Sequence, residues 1–261
     1  RWGRGTTPAQ MRADWDQLFG GMALDAAVQA ADLGGVPGEW VTAPGAQDGG
    51  ALLYLHGGGF QIGSPRSHRE LMAALSAASG CRVFGLDYRL APEHRHSAAL
   101  EDALAAWKAL LAQGERTPRM AVAGDSAGGG LALALLLALR DAGLPLPAAA
   151  VTMSAWTDLS LGGASYEAQA ALDPINQRAT LALMVRTALG PQGNARDPRA
   201  SPLLGDLHGL PALLMQVGDR EIVLSDSTDF AGKAQAAGVE VTLQVWPGMF
   251  HVFQQFPAEL T

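Results

Sequence analysis

Basic residues are scarce in this 261-residue chain. Lys and Arg number 18 against 25 Asp and Glu, a net charge of −7. That balance argues against nucleic acid as a partner and offers no basic patch to an anionic membrane. Cysteine is nearly absent. Cys81 stands alone, so no intramolecular disulfide and no cysteine-rich zinc site is possible. Its run, Cys81-Arg82-Val83-Phe84-Gly85-Leu86, suggests a core strand position. Long apolar runs are missing too. The longest, residues 131–139, falls short of the ~20 residues a bilayer span needs. Residues 1–10 lack an apolar h-region, so no signal peptide is expected, although the chain opens on Arg1 and not Met. A cytoplasmic location is the resulting expectation. There is no internal repeat or low-complexity tract. What remains is 48% hydrophobic and 16% charged, enough for one sizeable core with an insertion.

Apolar runs and helical patterns alternate, as in a parallel sheet covered by helices. Strands are expected over 40–42, 51–55, 82–87, 120–124, 148–154, 212–218 and 239–246. Helices are expected over 67–78, 98–111, 128–142 and 226–237. Gly143-Leu144-Pro145-Leu146-Pro147 reads as a helix stop and linker. Two segments break the alternation. Residues 11–31 read as helical, with Ala-rich 23–31 as an amphipathic helix. Residues 160–207 form an excursion with a helical run over 180–189, either a cap or a long surface detour.

Gly124-Asp125-Ser126-Ala127-Gly128 fits a serine presented on a sharp strand-to-helix turn, where small neighbours leave the hydroxyl exposed. The plainer alternative is a tight turn with a capping serine. His56-Gly57-Gly58-Gly59-Phe60 follows another strand-like run. Its glycines let backbone N–H groups approach one point. Acyl transfer needs such donors, each worth roughly 3–4 kcal/mol to a developing oxyanion. A phosphate loop fits poorly, since no G-K-[ST] follows. Late in the chain, His251 supplies an imidazole suited to general-base work. Asp219 and Glu221, just after the 212–218 strand, are both candidates to orient it.

These motifs, with Asp87-Tyr88-Arg89-Leu90-Ala91-Pro92-Glu93-His94 and Ser154-Ala155-Trp156-Thr157-Asp158-Leu159, resemble the hormone-sensitive-lipase-like esterases of the α/β-hydrolase superfamily. The resemblance runs from about residue 11 to about 256. Its nearest look is to short-chain esterases and monoterpene ε-lactone hydrolases. It implies an α/β-hydrolase fold with a mostly parallel sheet, helices on both faces and a helical cap. It implies N-terminal cap helices over 1–38 and a core over 39–261 with a cap insertion at about 160–207. It implies a serine carboxylesterase of short-chain acyl esters working through an acyl-enzyme. Alternatives are a lactone hydrolase or amidase with the same triad, or a non-catalytic ligand-binding protein on this fold. The implied triad is Ser126, Glu221 and His251, with Gly58, Gly59 and Ala127 as oxyanion donors and Phe60 and Trp156 lining the substrate site. His56 and Asp125 are expected in structural hydrogen bonds, and His94 and His96 in solvent. No metal or cofactor is implied. The expected partner is a small-molecule ester, with no nucleic acid, no membrane and a homodimer through the edge strand at 239–246.

The chain also departs from the family. Arg95-His96-Ser97 replaces the usual Pro-Phe-Pro, and no Tyr precedes Leu189-Gly190. Relatives continue into a final helix, whereas this sequence ends ten residues after His251.

Overall fold

A computed structural model describes residues 3, 5–21, 24–46 and 50–256. Helix α1 (Pro8–Phe19) precedes a hairpin of β1 (Ala27–Leu33) and β2 (Val36–Thr42). Then come β3 (Ala51–Leu55), α2 (Arg69–Ser79), β4 (Arg82–Leu86) and α3 (His96–Ala112). They are followed by β5 (Met120–Asp125), α4 (Ser126–Asp141) and β6 (Ala149–Met153). The excursion carries α5 (Ser165–Ala168) and α6 (Arg178–Leu189), and β7 (Ala212–Gly218), α7 (Leu224–Ala236) and β8 (Val241–Trp246) complete the fold.

The eight strands form one sheet in the order β1-β2-β4-β3-β5-β6-β7-β8. The first two pairings are antiparallel and the rest parallel. Central strands in such a sheet are covered on both faces, so β3 is apolar and buried throughout. Helix α4 lies in the main core with Leu131, Leu133, Leu135, Leu136 and Leu139 all inaccessible. This is why its sequence is apolar all round rather than striped. Among the described residues no helix is long and apolar enough to cross a membrane.

The N-terminal expectation needs correction. Among the described residues of 1–38 only α1 is helical, and the sheet already begins at Ala27. Ala23 lies outside the described residues. Ala27–Leu33 pairs with Val36–Thr42 through a two-residue Gly34-Gly35 turn, both glycines at positive φ. That turn chemistry and burial of Leu33 and Val36 outweigh the helix propensity of the alanines. Cys81 is half-buried and precedes β4 rather than lying in it. β2 begins at Val36, four residues before the expected 40–42; the remaining strands and long helices lie within about two residues of the expected bounds.

Parallel strands of one sheet all end at the same edge, where open α/β sheets hold their ligands. The C-terminal ends of β3, β5, β6, β7 and β8 deliver there the glycine loop, Ser126, Ser154, Glu221 and His251 respectively.

Candidate active site

The chain leaves β5 at Asp125 and enters α4 immediately, and Ser126 takes the strain of that reversal with φ 52°. Gly128 is required here. A Cβ on it would lie 2.0 Å from the Leu55 carbonyl oxygen and 2.4 Å from that of His56. The turn can therefore sit directly against the end of β3.

Ser126 Oγ lies 2.8 Å from His251 Nε2, and His251 Nδ1 lies 2.7 Å from Glu221 Oε2. Glu221 is wholly buried. Its second oxygen, Oε1, accepts from Ser154 Oγ at 2.8 Å and from the Gly218 N–H. Burial works to lower the His251 pKa, but the hydrogen bond and charge of Glu221, with Asp173 and Asp125 behind it, raise it above the ordinary value. Asp219 goes elsewhere. Its Oδ1 accepts the Gly248 N–H at 2.8 Å and it remains half-buried.

The glycine loop follows β3. Gly58 and Gly59 have φ 109° and 63°, and a Cβ on Gly59 would meet Met184 Sδ of α6 at 2.5 Å. Among the described residues no hydrogen bond occupies the N–H of Gly58 or Gly59. The Ala127 N–H belongs to the first turn of α4, whose donors have no partner within the helix and whose dipole favours negative charge.

A buried polar cluster holds this loop down. Asp125 accepts from the Tyr54 hydroxyl and from the Gly57 N–H at 2.9 Å, and His68 Nε2 lies 3.7 Å away. Burial disfavours the Asp125 charge, but the charge and contact of His68, the Tyr54 hydrogen bond and His56 together outweigh it and hold the carboxyl below its usual range. His68 is raised in turn, the Asp125 carboxylate more than offsetting its own burial. His56 stacks on Tyr88 with ring centres 4.3 Å apart, and its Nδ1 lies 2.7 Å from the Gly57 carbonyl oxygen. Burial pushes its pKa down to about 3, so it is a neutral structural group.

The family model described as alpha/beta hydrolase fold matches residues 52–255. The chain belongs to the α/β-hydrolase family. It is 49% identical over 224 residues to an acetyl-hydrolase of Streptomyces hygroscopicus, covering 86% of this chain and 74% of that one. It is 36% identical over 216 residues to an ethyl acetate hydrolase of Pseudomonas putida, covering 79% and 67%. A solved esterase of the bacterial hormone-sensitive lipase family superposes with a TM-score of 0.95 at 45% identity, covering 99% of this chain and 87% of that chain. This α/β-hydrolase thus falls in the hormone-sensitive-lipase-like esterase branch.

Phe60 and Trp156 are both almost fully buried, with rings 6.4 Å apart. The Trp156 N–H donates to the Ser126 carbonyl oxygen at 2.9 Å, tying the segment after β6 to the serine turn. Two residues of this α/β-hydrolase site escaped the sequence reading. Ser154, at φ 51°, donates to Glu221 and accepts the Val252 N–H at 3.0 Å, so one hydroxyl joins the acid to the histidine segment. Asp173, from the excursion, is buried and accepts the Ile222 N–H at 2.9 Å, beside Glu221. The only sequence signal for Ser154 was its place after an apolar strand in the Ser154–Leu159 motif. Asp173 has none beyond Asp-Pro, a common turn opener.

Proposed function

We propose that this carboxylic ester hydrolase cleaves short-chain acyl esters through a covalent acyl-enzyme on Ser126. His251 Nε2 takes the Ser126 proton as Oγ attacks the ester carbonyl. Glu221 holds the Nδ1–H tautomer and stabilises the imidazolium. The N–H groups of Gly58, Gly59 and Ala127 receive the oxyanion. Collapse expels the alcohol, which takes the proton from His251. Water then repeats the sequence and releases the acid, so the reaction as written needs no metal or cofactor.

The carrying observation is the unbroken relay from Ser126 Oγ through His251 to buried Glu221, with contacts of 2.8 and 2.7 Å. Short acyl groups are favoured in this reading because Met184 of α6 lies against Gly59, while Phe60 and Trp156 are packed with almost no exposed surface. Residues 160–207 act in this reading as a cap that excludes water. Relatives named acetyl-hydrolase and ethyl acetate hydrolase point the same way.

Ser126→Ala should lower kcat by about 10⁶-fold on a p-nitrophenyl ester. A serine-directed phosphonate should add its mass at Ser126 alone. A panel of esters, lactones and anilides measures the preference among the three. Ester turnover within tenfold of the parent in Ser126→Ala would remove this mechanism.

A homodimer through β8 belongs to the same reading. β8 is an edge of the sheet and exposes Val245 and Trp246 at 43% and 42%. Sedimentation should find a dimer in the parent and a monomer in Trp246→Glu; a monomeric parent rejects it.

A further inference from the structure

We propose that the cleft between the N-terminal end of α3 and the C-terminal end of α6 is a second binding site, for a short aliphatic carboxylate held by Arg95 and His96. The cleft has a volume of about 380 Å³, within the range of small-molecule sites. It contains neither Ser126, Glu221 nor His251.

His96 is the first observation. It was expected in solvent, yet it is 5% exposed and lines this cleft. Neither ring nitrogen has a hydrogen-bond partner among the described residues; its described contacts are the edge of Phe60, with ring centres 4.6 Å apart, and the charge of Asp197. An imidazole always carries at least one N–H, and neither His96 nitrogen is among the sealed polar atoms that lack a partner, so the ring opens onto the cleft and not into the core. Burial pushes the His96 pKa down to about 4, so at neutral pH it is an uncharged donor looking into the cleft.

Arg95 is the second. Its Nη1 donates to the Thr187 carbonyl oxygen at 3.0 Å. Its guanidinium packs on Gly190, where a Cβ would fall 2.8 Å from Cζ. The head group is therefore fixed before any ligand arrives. Asp197 pairs with Arg199 at 2.7 Å, while Glu101 shares Arg89, at 3.2 Å, with buried Asp102, which lies closer at 2.7 Å. Of the two arginines that line the cleft, Arg95 has no ion-pair partner among the described residues. The first-turn N–H groups of α3 add to the positive field there.

Opposite these donors the wall is aliphatic, from Leu100, Leu104 and Leu189. One unpaired guanidinium, one neutral N–H donor and an alkyl wall match one carboxylate on a short hydrocarbon tail. Both donors come from adjacent residues, Arg95 and His96, at the start of α3. Acids of this class are also what the reaction proposed above releases, and that statement alone rests on that reading. Phe60, in contact with His96, directly follows the glycine loop, so an occupant touches that loop's support.

The test is titration of the phosphonate-treated protein with hexanoate, followed by calorimetry and by the His96 imidazole resonance. The phosphonate removes the Ser126 site as an alternative. If labelling fails, the Ser126 mechanism is in question, and the same titration of untreated parent against the variants still decides this site. Saturable binding is expected, with a shift of the resonance that His96→Phe deletes. Arg95→Gln should weaken binding at least about tenfold. His96→Phe, which keeps an aromatic ring against Phe60 but removes the N–H, should weaken it as well. Hexanol and sulfate, each offering half of the recognition, should bind at least about tenfold more weakly than hexanoate. Absence of saturable binding, binding unchanged in both folded variants, or sulfate binding as tightly as hexanoate would each overturn the proposal.

Discussion

Replacing Glu221 by Gln keeps the size of the side chain and removes only its charge and one acceptor. In the parent, Oε1 receives two donors, Ser154 Oγ and the Gly218 N–H, while Oε2 faces His251 Nδ1. An amide has one oxygen to offer. The Gly218 N–H is backbone and cannot turn, so the amide oxygen settles there. The NH₂ group then points at His251 Nδ1, which must become an acceptor. The imidazole proton moves to Nε2, the nitrogen facing Ser126, and the ring can no longer take the serine proton. This wrong-tautomer penalty is about 10⁴-fold in kcat where a triad carboxylate has been changed to its amide, or ~5 kcal/mol of transition-state stabilisation. Asp219→Asn keeps an oxygen that can accept the Gly248 N–H and touches neither His251 nor Ser126, so it should leave kcat within about threefold. The assay is kcat on a p-nitrophenyl ester for both variants, with thermal melting to show that each folds. A crippled Asp219→Asn beside a near-parental Glu221→Gln would refute the reasoning and make Asp219 the acid.

Two further outcomes follow from displaced pKa values. His251 must be neutral to act as base, so kcat/KM should fall as pH drops through its pKa. Since that pKa is raised, the acid limb should have its midpoint above 6.5 and move downward in Glu221→Gln; a parental midpoint below 6.5 contradicts this. Asp226 concerns stability: burial pushes it up to about 7, against backbone N–H bonds from Thr157 and Asp158 that favour the anion. The folded state then holds a proton that the unfolded chain releases, so this group makes stability decline as pH rises from about 4 to 7. Asp226→Asn should flatten that decline and gain on the order of 1–4 kcal/mol at pH 8 relative to pH 5; denaturant melts at the two pH values would expose the error if the slope is unchanged.

Much of this site was legible because its chemistry is tied to short local patterns. Ser126 sits in a turn that demands small neighbours, and the His56–Gly59 glycines announce close backbone approach. Glu221 was only half legible. Two carboxylates follow β7 within three residues, and which one faces His251 depends on how the chain turns after Gly218. Ser154 opened a legible motif, but its role did not show, since a serine at positive φ has no sequence signature as a glycine does. β1 was misread because alanine favours helix by itself and yields to a strand only when an edge and a Gly-Gly turn are at hand. His96 was misread for a related reason: next to charged residues it suggests solvent, and its neighbours in the fold, the Phe60 ring and Asp197, are both far away in sequence.

The strained backbone shows how distant parts are brought to one point. Five described non-glycine residues have positive φ: Phe60, Ser126, Ser154, Leu161 and Val252. Such a conformation costs roughly 1–3 kcal/mol each. Four of the five lie just beyond the ends of β3, β5, β6 and β8. The geometry of the sheet explains the need. β8 is three strands from β5, about 14 Å at ~4.8 Å per strand, too far for an imidazole to span unless its loop folds back. The segment after β8 does so in steps. Over β7, the Met249 carbonyl oxygen accepts the Arg220 N–H at 3.2 Å, an approach that leaves no room for a side chain on Gly218. Over β6, the Val252 N–H meets Ser154 Oγ. Over β5, His251 Nε2 meets Ser126. Each strand end thus supplies one pin for the returning loop, and Ser154 is the pin that also grips the acid. Its strain is tolerated because one hydroxyl there fixes the relation between Glu221 and His251, which otherwise belong to different strands and would be set only by loops.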